Sequence, residues 1–234
     1  MNPSHNPAYP DRIVAIADVN RRATFVSRTY GHLTGAIFLF TLIQIALFQS
    51  GAAERIAQAL LGVSWLVVLG GFMIVGWLAS HAAHRSMSLP SQYLALGAFV
   101  AAQALIFVPL LYIADQFAPG AISSAAAVTF VGFGALTAVA FITRKDFSFL
   151  RGLLYWGFIV ALILIVASVL FGWGLGTWFS VGMIAFAGAA VLYDTSNVLH
   201  HYPEDRYVAA ALQLFASVAL MFWYVLRLFI ATRD

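Results

Sequence analysis

The sequence predicts an all-α fold, a polytopic membrane bundle of seven transmembrane helices. Three observations carry that expectation. The 234-residue chain is 62% hydrophobic. Only 9% of it is charged, against about 25% in an ordinary soluble domain. Its charges also fall in short clusters, separated by charge-free runs long enough to cross a bilayer. A soluble chain of this size has too little interior to hide so much apolar surface.

The charge-free runs define the helices in order. Runs of 25, 29, 29 and 28 residues separate Arg28 from Glu54, Arg55 from Arg85, Arg85 from Asp115, and Asp115 from Arg144. A run of 42 follows between Arg151 and Asp194, and one of 20 between Arg206 and Arg227. A span needs about 20 apolar residues. The long run therefore holds two spans, divided at "FGWGLGTW", whose glycines and tryptophans suit an interfacial turn. The expected spans are 29–50, 60–81, 92–114, 121–143, 151–171, 175–198 and 207–230. Residues 1–28 form an N-terminal segment and 29–234 the transmembrane domain. The segment lacks a basic stretch leading into a short apolar core, so it does not read as a cleaved signal peptide.

Orientation follows from Lys and Arg in the short loops. Arg12, Arg21, Arg22, Arg28, Arg85, Arg144, Lys145, Arg151 and Arg206 fall on one side. Arg55, Arg227 and Arg233 fall on the other. Nine against three predicts a cytoplasmic N-terminus and an external C-terminus. The modest excess of positive charge therefore reports topology, and no nucleic-acid partner is expected. With no cysteine, the chain has no disulfides, thiol nucleophile or Cys-containing zinc site. The short loops leave no room for a soluble catalytic module, so the bilayer is the certain partner and function must lie in the bundle or on its rim.

Four polar features interrupt the apolar pattern. "GHLTG", Gly31 to Gly35, has the spacing of close helix packing, with His32 inside it as an interfacial or packed residue, not a ligand. "ASHAAHRS" places His81 and His84 on one face before Arg85, at the end of the second span. "DFSFLRG" offers Asp146 or Ser148 as an N-cap for the fifth span. "YDTSNVLHHY" puts Asp194, Asn197 and His201 on one face at the end of the sixth span. The seventh span opposes it with a polar stripe of Gln213, Ser217 and Tyr224. A hairpin of these two spans brings Asp194 near Gln213 and Ser217. An ionised carboxylate in hydrocarbon costs roughly 3 kcal/mol or more, so Asp194 must face the bundle, a wet cavity or the headgroups. It is either the point where a helix leaves lipid or a working ionisable group.

Three stretches carry a resemblance that covers nearly the whole chain. They are "FVSRTYGHLTGAI", "TAVAFITRKDFSFLRGLL" and "LYDTSNVLHHYPEDRYVAAALQLFASVALMFWYVLRLF". Together they resemble the Bax inhibitor-1, or transmembrane Bax inhibitor motif, family, whose bacterial members include a modulator of a membrane-bound AAA protease. The resemblance implies a non-enzymatic protein of a bacterial inner membrane. It implies a pH-sensitive leak for calcium or another cation, or a modulator of membrane partners such as a quality-control protease. In the family an aspartate late in the sixth span pairs with one early in the seventh, and an arginine near the end of the second acts as a latch. Asp194 matches the first aspartate. The second aspartate's position falls on Ser217, so the Asp–Asp pair is absent. The ion or proton site is then Asp194, Ser217, Gln213 and Asn197. The latch falls to His81, His84 or Arg85. No cofactor or metal site is expected in this reading. The alternative is a seven-helix membrane zinc hydrolase of the ceramidase or receptor-like type, drawing on His81, His84, His200 or His201 with Asp194.

Overall fold

The computed structural model describes residues 19–85 and 88–232, with the side chains of Ala82, His84 and Arg85 outside that description. Among the described residues there are eight helices: α1 (Val19–Gln49), α2 (Ala52–Leu61), α3 (Trp65–Arg85), α4 (Leu89–Phe117), α5 (Ala121–Thr143), α6 (Leu150–Phe171), α7 (Gly176–His200) and α8 (Tyr207–Ala231). Six are long and apolar enough to cross a membrane, and α2 with α3 supplies a seventh span when the bent pair is counted as one. The polytopic all-α bundle is as expected, and α4 to α8 fall within a few residues of their expected limits.

Two helices differ from expectation. α1 starts ten residues before the expected 29, and its 31 residues reach about 46 Å, well beyond the roughly 30 Å hydrocarbon core. Its arginines mark where lipid ends, but Asn, Arg and Thr do not stop a helix. The second span also begins later than 60, because a short helix precedes it. Gly51, in the left-handed conformation with φ of 70°, ends α1 and turns the chain. α2 then buries Ala53 and Ala57 against Val108 of α4 while Glu54 and Arg55 face outward. Its 10 residues cover only about 15 Å, so it lies across the bundle end. The chain turns by 111° into α3.

The turn at "FGWGLGTW" is as read. Gly172 and Gly176 both have positive φ, 72° and 61°. The Trp173 indole N–H donates to the Ala167 carbonyl (2.7 Å), and Ser168 donates to the Trp173 carbonyl (2.7 Å). Two other expectations fail. A side chain at Gly31 or Gly35 would meet nothing within 4 Å. The GxxxG stripe lines an open groove between α1 and α4 instead of packing a helix. His32 within it is packed as expected: it bonds the Tyr93 hydroxyl (2.8 Å) and the Arg28 carbonyl (2.7 Å) and lies against Tyr207. Neither Asp146 nor Ser148 caps α6, since Phe149 holds the N-cap position without a side-chain bond. Asp146 instead accepts the Ser148 N–H (2.9 Å) in a local turn. That bond, helped by His201 and His200, holds its carboxyl below the usual range.

α8 is the centre of the bundle. It packs against α7, α1, α5, α4 and α3. Val208 to Leu212 are almost wholly enclosed, and Phe215 continues the core against Phe40 and Phe99. α4 is the second buried helix. Pro109 within it donates no N–H, so the Leu105 carbonyl loses its helical partner. One residue earlier, the Ala104 carbonyl accepts the Gln44 amide of α1 (2.7 Å). α6 stands at the margin, most of its surface facing outward.

Candidate functional site

One cavity runs the length of the bundle, walled by α3, α4, α6, α7 and α8, with a volume of about 810 Å³. Arg151 marks one end and Arg227 the other. Most of the wall is apolar. Polar groups gather towards the Arg151 end, where Asp194, Gln213, Ser217 and Tyr193 reach the lining.

Asp194 is 2% exposed and Ser217 is 5% exposed. The Ser217 hydroxyl donates to the Asp194 carboxylate, across the α7–α8 hairpin. Gln213, one turn before Ser217, is a second hydrogen-bonding neighbour of the same carboxyl. The sequence-based trio is thus brought together. Tyr224 lines the same cavity further along and packs edge-on against Phe179. Asn197 does not join the cluster: it is not part of the cavity wall, and its carbonyl accepts the N–H groups of His201 (2.8 Å) and Tyr202 (3.1 Å) at the end of α7.

The expected latch residues do not reach Asp194 among the described side chains. His81 is exposed and stacks on Trp77, ring centroids 5.1 Å apart. The side chains of His84 and Arg85 lie outside the described residues. The rim is instead tied together by contacts that sequence reading did not single out. Arg22 donates to the Leu199 carbonyl (2.9 Å), so a guanidinium of α1 satisfies the last turn of α7. Arg206 donates to the Ala83 carbonyl near the end of α3 (3.5 Å). Ser196 accepts the Phe147 N–H (2.9 Å), docking the α5–α6 loop on α7. His201 lies 3.3 Å from Asp146 of that loop. Burial pushes the Tyr202 phenol at the same rim well above its usual range.

Among the described residues no three His, Asp or Glu side chains gather as metal ligands. His200 bonds the Ser196 carbonyl (2.9 Å) while His201 lies against Asp146, and the two imidazoles meet edge-on with ring centroids 6.1 Å apart.

A bundle of apolar spans joined by short turns, with a buried carboxylate between two of them, defines a polytopic integral membrane protein. The family model for the inhibitor of apoptosis-promoting Bax1 matches residues 22–234, and the chain belongs to the Bax inhibitor-1 family. Bax inhibitor 1 of Schizosaccharomyces pombe is 26% identical over 88% of this chain and 76% of its own length. The modulator of FtsH protease YccA of Escherichia coli is 35% identical over 44% of this chain and 47% of its own. The uncharacterized protein PA2604 of Pseudomonas aeruginosa is 38% identical over 46% of this chain and 49% of its own. The aligned part of this chain thus spans about half the length of the two bacterial relatives.

Proposed function

We propose that this protein is a non-enzymatic, pH-gated leak for calcium or a similar cation, with the bundle-long cavity as its path and Asp194 as its ionisable gate. The observation that carries the reading is Asp194 itself, enclosed between α7 and α8 at the cavity wall and held by Ser217. Among the described lining residues Asp194 is the one acid, able to attract a cation when ionised and release it when protonated. Where a second carboxylate would share a proton with it, Ser217 offers a hydroxyl. The gate therefore titrates as a single site, not as a coupled pair. The protein would sit in a bacterial inner membrane with its N-terminus in the cytoplasm, as the loop charges favour.

A second reading, modulation of a membrane protease, draws its support from the match to the FtsH modulator of Escherichia coli. Calcium flux into proteoliposomes, measured against pH, separates the two. The wild type should show pH-dependent flux, Asp194→Asn should flatten the pH profile, and Ser217→Asp should raise the flux. No flux from the wild type or from Ser217→Asp would end the leak reading and leave protease modulation.

A further inference from the structure

α6 is barely enclosed by the rest of the bundle. It packs along α7, meets α3 briefly, and touches no other helix among the described residues. Yet Arg151, Leu154, Phe158, Ile165 and Val169 recur at helical spacing and line the cavity. Phe158 remains 48% exposed on that stripe. The cavity thus opens sideways, between α6 and α3, towards the surrounding bilayer. Its volume lies within the range of about 300–1,000 Å³ typical of ligand sites. Away from the Asp194 cluster the wall offers few hydrogen-bonding groups, and water is a poor filling there, since each buried water needs two to four polar partners. An alkyl chain is a good one.

The charges say which end such a ligand presents. Among the described residues Arg151 has no carboxylate partner. It starts the lining stripe, at the rim shared with the exposed Arg144 and Lys145. The one acid of that loop, Asp146, is engaged by His201 (3.3 Å). Three cations against one acid leave the loop with a formal net charge of plus two. Basic pockets between transmembrane helices are suited to anionic headgroups. At the opposite mouth Arg227, which also has no carboxylate partner among the described residues, is the one cation among that end's described lining residues, beside Trp223 and Trp65.

We propose that the cavity binds one acyl chain of an anionic phospholipid, admitted between α6 and α3, with the headgroup held at Arg151. The chain lies along the α6 stripe against Leu110 and Leu220. This does not rest on the ion-leak reading, because the cavity and its arginine alone define the site and bound lipid is the readout.

The full-length protein, purified in a mild detergent, would be titrated with phosphatidylglycerol or phosphatidylcholine of identical chains, and retained lipid counted by native mass spectrometry. The expected result is a single retained phosphatidylglycerol, bound about fivefold more tightly than phosphatidylcholine. Arg151→Ala should erase the headgroup preference. Ala216→Phe, which fills the cavity from α8, should lower retention of both lipids, and Ala190→Phe from α7 repeats that test should the first variant not fold. Equal retention of the two lipids by the wild type would overturn the proposal, as would a preference that survives Arg151→Ala. Undiminished retention in a folded, cavity-filled variant would do the same, because it would place the lipid on the outer surface.

Discussion

Ser217 and Asp194 show what a single hydroxyl can do in a hydrocarbon environment. The carboxylate is enclosed, and the serine one hairpin away supplies its donor. Side-chain hydrogen bonds between transmembrane helices average about 0.6 kcal/mol and reach about 1.7. Ser217→Ala should cost an amount in that range, because Gln213 keeps the carboxyl partly satisfied. A double-mutant cycle with Asp194→Ala, read by thermal unfolding in one detergent, should return a coupling of the same size. Additive single effects would mean that the two groups do not interact. This pair was legible in the sequence because Asp194 ends a long uncharged run and Gln213 and Ser217 form a stripe facing it. Arg22 and Arg206 were not, because each binds a backbone carbonyl, Leu199 and Ala83, more than a hundred residues away. A carbonyl carries no residue identity, so no pattern announces its partner. Asn197 shares the helical face of Asp194 but is not among the residues that line the cavity.

Among the helices, charge spacing located hydrocarbon more reliably than it located helix ends. It read α5 to α8 closely, because each stops where glycine or a polar turn coincides with the membrane edge. It missed the early start of α1, whose first turns carry Arg21 and Arg22, and it missed α2. There the break at Gly62, Val63 and Ser64 lies inside an apolar run, and only packing on Val108 shows that residues 52–61 lie across the bundle instead of through it. The GxxxG stripe of α1 is the opposite case, a strong pattern without the partner it predicts. Replacing Gly31 or Gly35 by alanine should therefore be tolerated or even stabilising, by up to about 1 kcal/mol, since alanine is the better helix former and no atom beyond its own stretch of helix lies within 4 Å of the added carbon. A loss exceeding 1 kcal/mol in thermal unfolding would show that something packs into the groove. Gly157 is the contrast. A side chain there would come within 2.8 Å of the Phe186 ring, at the seam by which α6 is attached.

The molecule as a whole is arranged round its last helix, with α4 beside it and α6 at the edge. Sequence reading counted the spans but could not rank them, because every span is apolar and hydropathy does not tell lipid from protein as a neighbour. Burial does. Leu212 on α8 is 1% exposed and Leu164 on α6 is 43% exposed. Leu212→Ala should cost about 2–5 kcal/mol through the cavity it leaves. Leu164→Ala should stay within about 0.5 kcal/mol. Similar losses for both in the same unfolding assay would contradict the arrangement.

The central place of α8 bears on how the protein is made. Chains grow from the N-terminus at about 5–20 residues per second, so the five helices that pack against α8 are all synthesised before it. Asp194 is polymerised 23 residues ahead of the serine that satisfies it, a lag of roughly one to five seconds at that pace. During that interval the nascent bundle is a ring without a hub, and its carboxyl must be sheltered by the translocon, by headgroups or by protonation. The arrival of α8 is the assembly step that closes the core and makes the site in one event.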